Sequence, residues 1–193
     1  MTAQAIAAVP PLGRVRSAVP PLLLVGGIAV AVVVGLRASG WYQQAVLTLA
    51  LCALAWIGSF DSHSLRAPNK VVYPLALAVI LAPFALGLDR GLTASGGALF
   101  SFGLLLVAVV ASRGAMGYGD AKVGFVCGAL LGVGGIVPFM LATFALGGLF
   151  AGVMLSLRLR GRKDVVAFTP FLFAGAVVVL VLGGSSVYLP ATG

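Results

Sequence analysis

Four aspartates, Asp61, Asp89, Asp120 and Asp164, are the only acidic side chains in this chain of 193 residues. It has no glutamate, and His63 is its sole histidine. Any acid–base chemistry must be drawn from this small set. Two carboxylates brought close together cannot both ionise, which leaves one as a base and the other as an acid. Such a pair can deprotonate a water for attack on a peptide carbonyl, hydrogen-bond to the carbonyl oxygen and later protonate the leaving amine. No cofactor is needed. Cys52 and Cys127 both lie inside long apolar runs, where cysteine behaves as a small buried hydrophobe. One histidine and two distant cysteines match no zinc-ligand spacing, so no metal site is expected.

The elements that must position these acids are apolar helices. The chain is 61% hydrophobic and only 8% charged, against about 25% charged in globular proteins. That composition belongs in a lipid bilayer. A net charge of +8 would suit nucleic acid, but membrane proteins collect Lys and Arg in their cytoplasmic loops for topological reasons. No nucleic-acid partner follows. With roughly 20 apolar residues needed per span, the sequence predicts an all-α, polytopic transmembrane bundle of about seven spans, at 19–36, 43–60, 71–88, 95–111, 121–135, 136–157 and 165–183. Residues 123–157 are too long an apolar stretch for one crossing. Gly132, Gly134, Gly135 and Pro138 supply the turn that divides it. Residues 1–18, rich in Pro and Ala, read as a flexible cytoplasmic tail, and 19–193 as one transmembrane domain. The first apolar run lacks a clear small-residue cleavage site, so it reads as a retained helix rather than a secretory signal.

Orientation follows from the basic residues. With the N-terminus cytoplasmic, Arg14, Arg16, Arg66, Lys70, Arg113, Lys122, Arg158, Arg160, Arg162 and Lys163 fall inside and only Arg37 and Arg90 outside, as the positive-inside rule requires. Trp41 and Tyr42 beside Arg37 fit outer-interface anchors. Asp61 closes the second span and Asp120 opens the fifth. The chain crosses outward and returns between them, so both carboxylates are expected near the cytoplasmic surface. Asp89 falls on the outer side and Asp164 among basic residues. Spacing alone leaves two readings open: a functional dyad, or two acids separately solvated at the interface.

Local sequence separates them. Asp120 sits in Gly117-Tyr118-Gly119-Asp120-Ala121-Lys122, whose glycines allow a bend or a close approach. Asp61 opens Asp61-Ser62-His63-Ser64-Leu65-Arg66-Ala67-Pro68-Asn69, and 168–176 reads Phe168-Thr169-Pro170-Phe171-Leu172-Phe173-Ala174-Gly175-Ala176. In these three strings, and in their order over roughly 43–183, the chain resembles the type IV prepilin peptidase family, aspartyl proteases of the Gly-x-Gly-Asp class. It is similar to the short form that lacks a zinc-bearing methyltransferase insert.

The resemblance implies that Asp61 and Asp120 are catalytic and that Gly117, Gly119, Lys122, Pro68 and Asn69 bind substrate or shape the site. It further implies a prepilin or pseudopilin precursor as substrate, cut after a Gly at the end of a basic leader. The setting would be the cytoplasmic face of a bacterial inner membrane, with peptidase but not methyltransferase activity. Two other functions are open to paired acids in a membrane chain. A presenilin-like or signal-peptide-peptidase-like enzyme would cleave within the membrane, but this chain has no Pro-Ala-Leu sequence. A small proton- or cation-coupled transporter would place its acids near the midplane on interrupted helices. His63 is open to a proton relay or simple solvation. Lys122 could orient substrate or Asp120, or snorkel to the interface, and 158–163 fits a topology and anionic-lipid signal.

Overall fold

The computed structural model describes residues 21–64, 68–112, 116–157, 167–182 and 187–189. Among these the chain is all-helical, without a strand. The helices are α1 (Pro21–Gly35), α2 (Trp41–Ser64), α3 (Asn69–Leu81), α4 (Leu88–Ala111), α5 (Tyr118–Leu131), α6 (Ile136–Ser156) and α7 (Thr169–Val181). Four helical stretches, Trp41–Asp61, Asn69–Leu86, Leu88–Ala111 and Val133–Val153, are long and apolar enough to cross a membrane. The expected N-terminal tail and the basic cluster at 158–163 lie outside the described residues, as do Arg66, Arg113 and Asp164.

The turn expected in the long apolar stretch is present. Helix α5 ends at Gly132, whose φ of 69° is left-handed and suits only a residue without Cβ. A 3-10 turn over Val133–Gly135 leads into α6. Pro138 falls in the first turn of α6, where its missing N–H leaves no helical bond unmade. The third apolar segment differs from expectation. It is α-helical only to Leu81 and tightens to 3-10 over Ala82–Leu86, because Pro83 cannot donate to the ladder and its ring crowds the preceding turn. Gly87, with φ of 134°, completes the turn. Helix α4 then starts at Leu88 rather than near residue 95. Asp89 lies exposed in its first turn, where a carboxylate complements the positive end of the helix.

Helix α5 is the centre of the bundle. Ten of its fourteen residues are buried, including Val123, Cys127 and Leu130, and α3, α4 and α7 pack around it. Its closest partner is α4. Gly97 and Gly128 meet there so tightly that a Cβ on either would strike the carbonyl oxygen of the other, and Ser101 Oγ donates to the Gly124 carbonyl at 2.8 Å. Small residues at a helix crossing let backbones approach in this way, and in an apolar medium such packing replaces the hydrophobic drive. At the Leu131 end of α5, residues 187 and 188 join the bundle. Val187 N–H donates to the Leu130 carbonyl at 3.2 Å, and the fully buried Tyr188 donates its hydroxyl to the Val79 carbonyl at 3.4 Å. The opposite end of α5 carries Asp120.

Candidate active site

Asp61 and Asp120 are buried, at 6% and 8% exposure, whereas Asp89 is exposed. Burial of an acid is costly unless it is hydrogen-bonded. Both carboxylates are. Asp120 is the third residue of α5, and its Oδ2 accepts from the Gly117 N–H at 3.1 Å. This is the returning half of a capping box, in which a side chain in the first turn satisfies the N–H of the residue before the helix. Gly117 has an ordinary extended backbone, with φ of −88°, so the expected bend does not explain this glycine. It is exposed and Gly119 half-buried at the start of the helix.

The other oxygen of Asp120 reaches α7. Thr169 Oγ1 donates to Asp120 Oδ1 at 3.0 Å, and Thr169 is fully buried. The hydroxyl and backbone N–H of the same threonine also lie within hydrogen-bonding reach of Asp61, and the N–H within reach of Asp120 as well. Asp61 is close enough for its charge to act on Asp120. The two acids, 59 positions apart in the sequence, therefore converge on one residue. Local structure explains how it gets there. Pro170 belongs in the first turn of a helix, where its fixed φ and missing N–H are harmless. The Thr169 N–H, one of the donors left without an intrahelical partner at a helix start, is then free to face the carboxylates. Gly58, three residues before Asp61 and so on the same face of α2, faces Pro170 and Thr169, which a Cβ at this position would just touch.

A second contact joins the remaining motif residues. Lys122 Nζ donates to Asn69 Oδ1 at 3.0 Å and to the Tyr73 hydroxyl at 2.9 Å, and lies 4.9 Å from the centre of the Tyr73 ring. Pro68 is the N-cap of α3, extended with φ of −73°. Lys122 thus fastens the N-terminal part of α5 to the N-terminal part of α3, and these hydrogen bonds go to neither acid. We expect Lys122→Met and Asn69→Ala each to cost roughly 1 kcal/mol, below the value of a shielded charge-assisted hydrogen bond because the site faces solvent. Thermal unfolding in detergent of both variants and their double should give a double loss smaller than the sum. Additive losses would show that the pair does not act as one clamp.

Asp61, Asp120, Gly117 and Gly119 are thus gathered at one site, with Lys122, Pro68 and Asn69 around the adjoining start of α3. The side chain of His63 lies outside the described residues. Three contributors escaped sequence reasoning: Thr169, Tyr73 and Gly58. The hydroxyl directly before Pro170 was the available signal for Thr169, since a buried polar side chain opening an apolar helix must find a partner.

Four apolar helical stretches of membrane-crossing length, with two buried carboxylates near the end of α2 and the start of α5, mark a helical membrane protein with an acidic centre at helix ends. Residues 45–152 match the model of the type IV leader peptidase family. That is more than half of the chain, which belongs to this family and is a peptidase. Neither curated proteins nor solved structures gave a match. The matched segment contains both acids and the Lys122 clamp, and stops short of α7.

Proposed function

We propose that the chain is an aspartic endopeptidase that removes the leader of type IV prepilins or related pseudopilins, with Asp61 and Asp120 as its catalytic pair. The observation that carries this reading is the convergence of two buried carboxylates on Thr169. Acids solvated independently at an interface would have no reason to share a partner. Close pairing favours a single shared proton, so that one carboxylate activates water while the other hydrogen-bonds the scissile carbonyl. Both ends of the reaction are then served by two side chains.

The charge pattern supports cleavage at the cytoplasmic face of a bacterial inner membrane. Ten of the twelve basic residues fall on the side of the two acids when the N-terminus is cytoplasmic. On this reading the peptidase is one transmembrane domain over 19–193, following a tail at 1–18. Gly117, Gly119, Pro68, Asn69 and Lys122 shape the rim against which an extended leader lies. An excess of Lys and Arg would not itself attract a basic leader. Recognition is therefore assigned to packing of the precursor's hydrophobic helix and to backbone contacts near the glycines.

The test is to incubate the purified protein in detergent with a full-length prepilin and S-adenosylmethionine, and to measure intact product masses. The expected result is one cut after the Gly that ends the basic leader, giving an unmethylated mature N-terminus. A cut inside the hydrophobic helix, or none, would overturn the assignment. A methylated product would overturn the peptidase-only activity.

A further inference from the structure

Thr169 stands apart from the other groups at the site because it contacts both acids and lies beyond the segment that matches the family. Its backbone N–H can only donate. Its hydroxyl has one proton to give and lone pairs to accept with, and can rotate between these uses. That difference matters if the acids share a proton, so the role assigned to the hydroxyl rests on the dyad proposed above.

During peptide hydrolysis by such a pair, water adds its oxygen to the carbonyl carbon and passes a proton to the ionised carboxylate. The protonated carboxyl gives its proton to the leaving amine as the C–N bond breaks. The dyad begins and ends with one proton, but that proton has changed sides. A partner that could only donate would suit one half of the cycle and oppose the other. A hydroxyl placed between the two can donate to whichever carboxylate is ionised and accept from whichever is protonated. We propose that Thr169 is a positioning residue for the reaction, its hydroxyl bridging Asp61 and Asp120 and following the shared proton between them.

The surroundings suit that role. Thr169 is fully buried, so water does not compete for the hydroxyl. Its helix starts at this residue and packs against both α2 and α5. Lys122, the cation on the same helix as Asp120, is engaged by Asn69 and Tyr73 rather than by the acids. The bridge is therefore fixed on a rigid element and is the one side-chain hydroxyl seen to contact both carboxylates among the described residues.

Prepilin cleavage by Thr169→Val, Thr169→Ala and Thr169→Ser tests the proposal in detergent, with Asp61→Asn and Asp120→Asn prepared alongside. Val keeps the branched shape without the hydroxyl, and Ser keeps the hydroxyl without the branch. We expect kcat to fall about 10- to 100-fold in Val, the weight of a hydrogen bond to a charged group. KM should stay within about twofold, and Ser should retain activity within about threefold of wild type. Folding is checked by size-exclusion elution and helical circular dichroism; should Val fail to accumulate, Ala carries the same comparison. Wild-type kcat in the Val variant beside inactive Asn variants would overturn the role of Thr169 alone. Equal losses in Ser and Val would also overturn it, by assigning the effect to shape. Activity retained in Asp61→Asn or Asp120→Asn would sink the dyad and this inference with it.

Discussion

Asp61→Asn and Asp120→Asn should each stop processing of a co-expressed prepilin, with turnover falling about 100- to 10,000-fold, the range for losing a positioned acid or base. Asparagine has almost the volume of aspartate but its amide cannot serve as a general acid or base. The fold should tolerate both changes. In Asp120→Asn the amide oxygen can still accept from the Gly117 N–H that the carboxylate now satisfies, and the neutral amide removes the cost of burying a charge. Protein yield and melting temperature should therefore stay near wild type, or rise, while cleavage disappears, as is common when an active site gives up a destabilising group. The double variant should be no less active than either single one, because two residues acting as a unit lose their joint effect at the first substitution. Loss of activity in only one of the two would break the shared-proton mechanism. So would a double variant much worse than both.

The largest effect on stability is expected where α4 crosses α5. Gly128→Val and Gly97→Val should prevent accumulation of folded protein, at a cost above about 4 kcal/mol, which single substitutions rarely reach. The new side chain at 128 would meet the Gly97 carbonyl and Ser101, and the one at 97 the backbone of Gly128 and Gly132. Side chains can rotate away from an intruder, but backbone at a helix crossing can yield only if the helices separate. Separation would also break the Ser101–Gly124 hydrogen bond and shift α5, which carries Asp120. Gly103→Ala provides the contrast, because a Cβ there meets nothing within 4 Å. It should change stability by less than about 1 kcal/mol, in the stabilising direction, since alanine favours the helix. Abundance in isolated membranes and melting in detergent measure all three. Wild-type melting in either Val variant would show that this crossing is not as tight as described.

Much of the architecture was carried by linear pattern. Apolar runs have to become helices in a medium that cannot hydrogen-bond free backbone groups, so their number and approximate ends follow from hydropathy. The division near Gly132 followed from length and turn chemistry, and Gly132 indeed takes a left-handed conformation there. The prospect that Asp61 and Asp120 could meet came from parity, because two crossings return a chain to the side it left. Their motif strings led to the family to which residues 45–152 belong. The early start of α4 and the 3-10 turn at Ala82–Leu86 show where hydropathy loses resolution. An average over many residues does not register one proline.

Tertiary structure alone decided which side chains touch. The chain has 27 glycines, and nothing local marks Gly97 and Gly128 as the pair on which α4 and α5 close or Gly58 as the one that faces Pro170. Those contacts depend on which faces two helices turn toward each other, a property of the pair and not of either sequence. Lys122 had the same chemistry whether it faced an acid, lipid headgroups or Asn69, and only the placement of α3 beside α5 selects Asn69 and Tyr73. Thr169 is the clearest case. It stands 49 and 108 positions from the two acids in sequence, and a threonine before a proline is an ordinary way to open a helix. Packing of α7 against both α2 and α5 turns that helix start into the meeting point of two carboxylates.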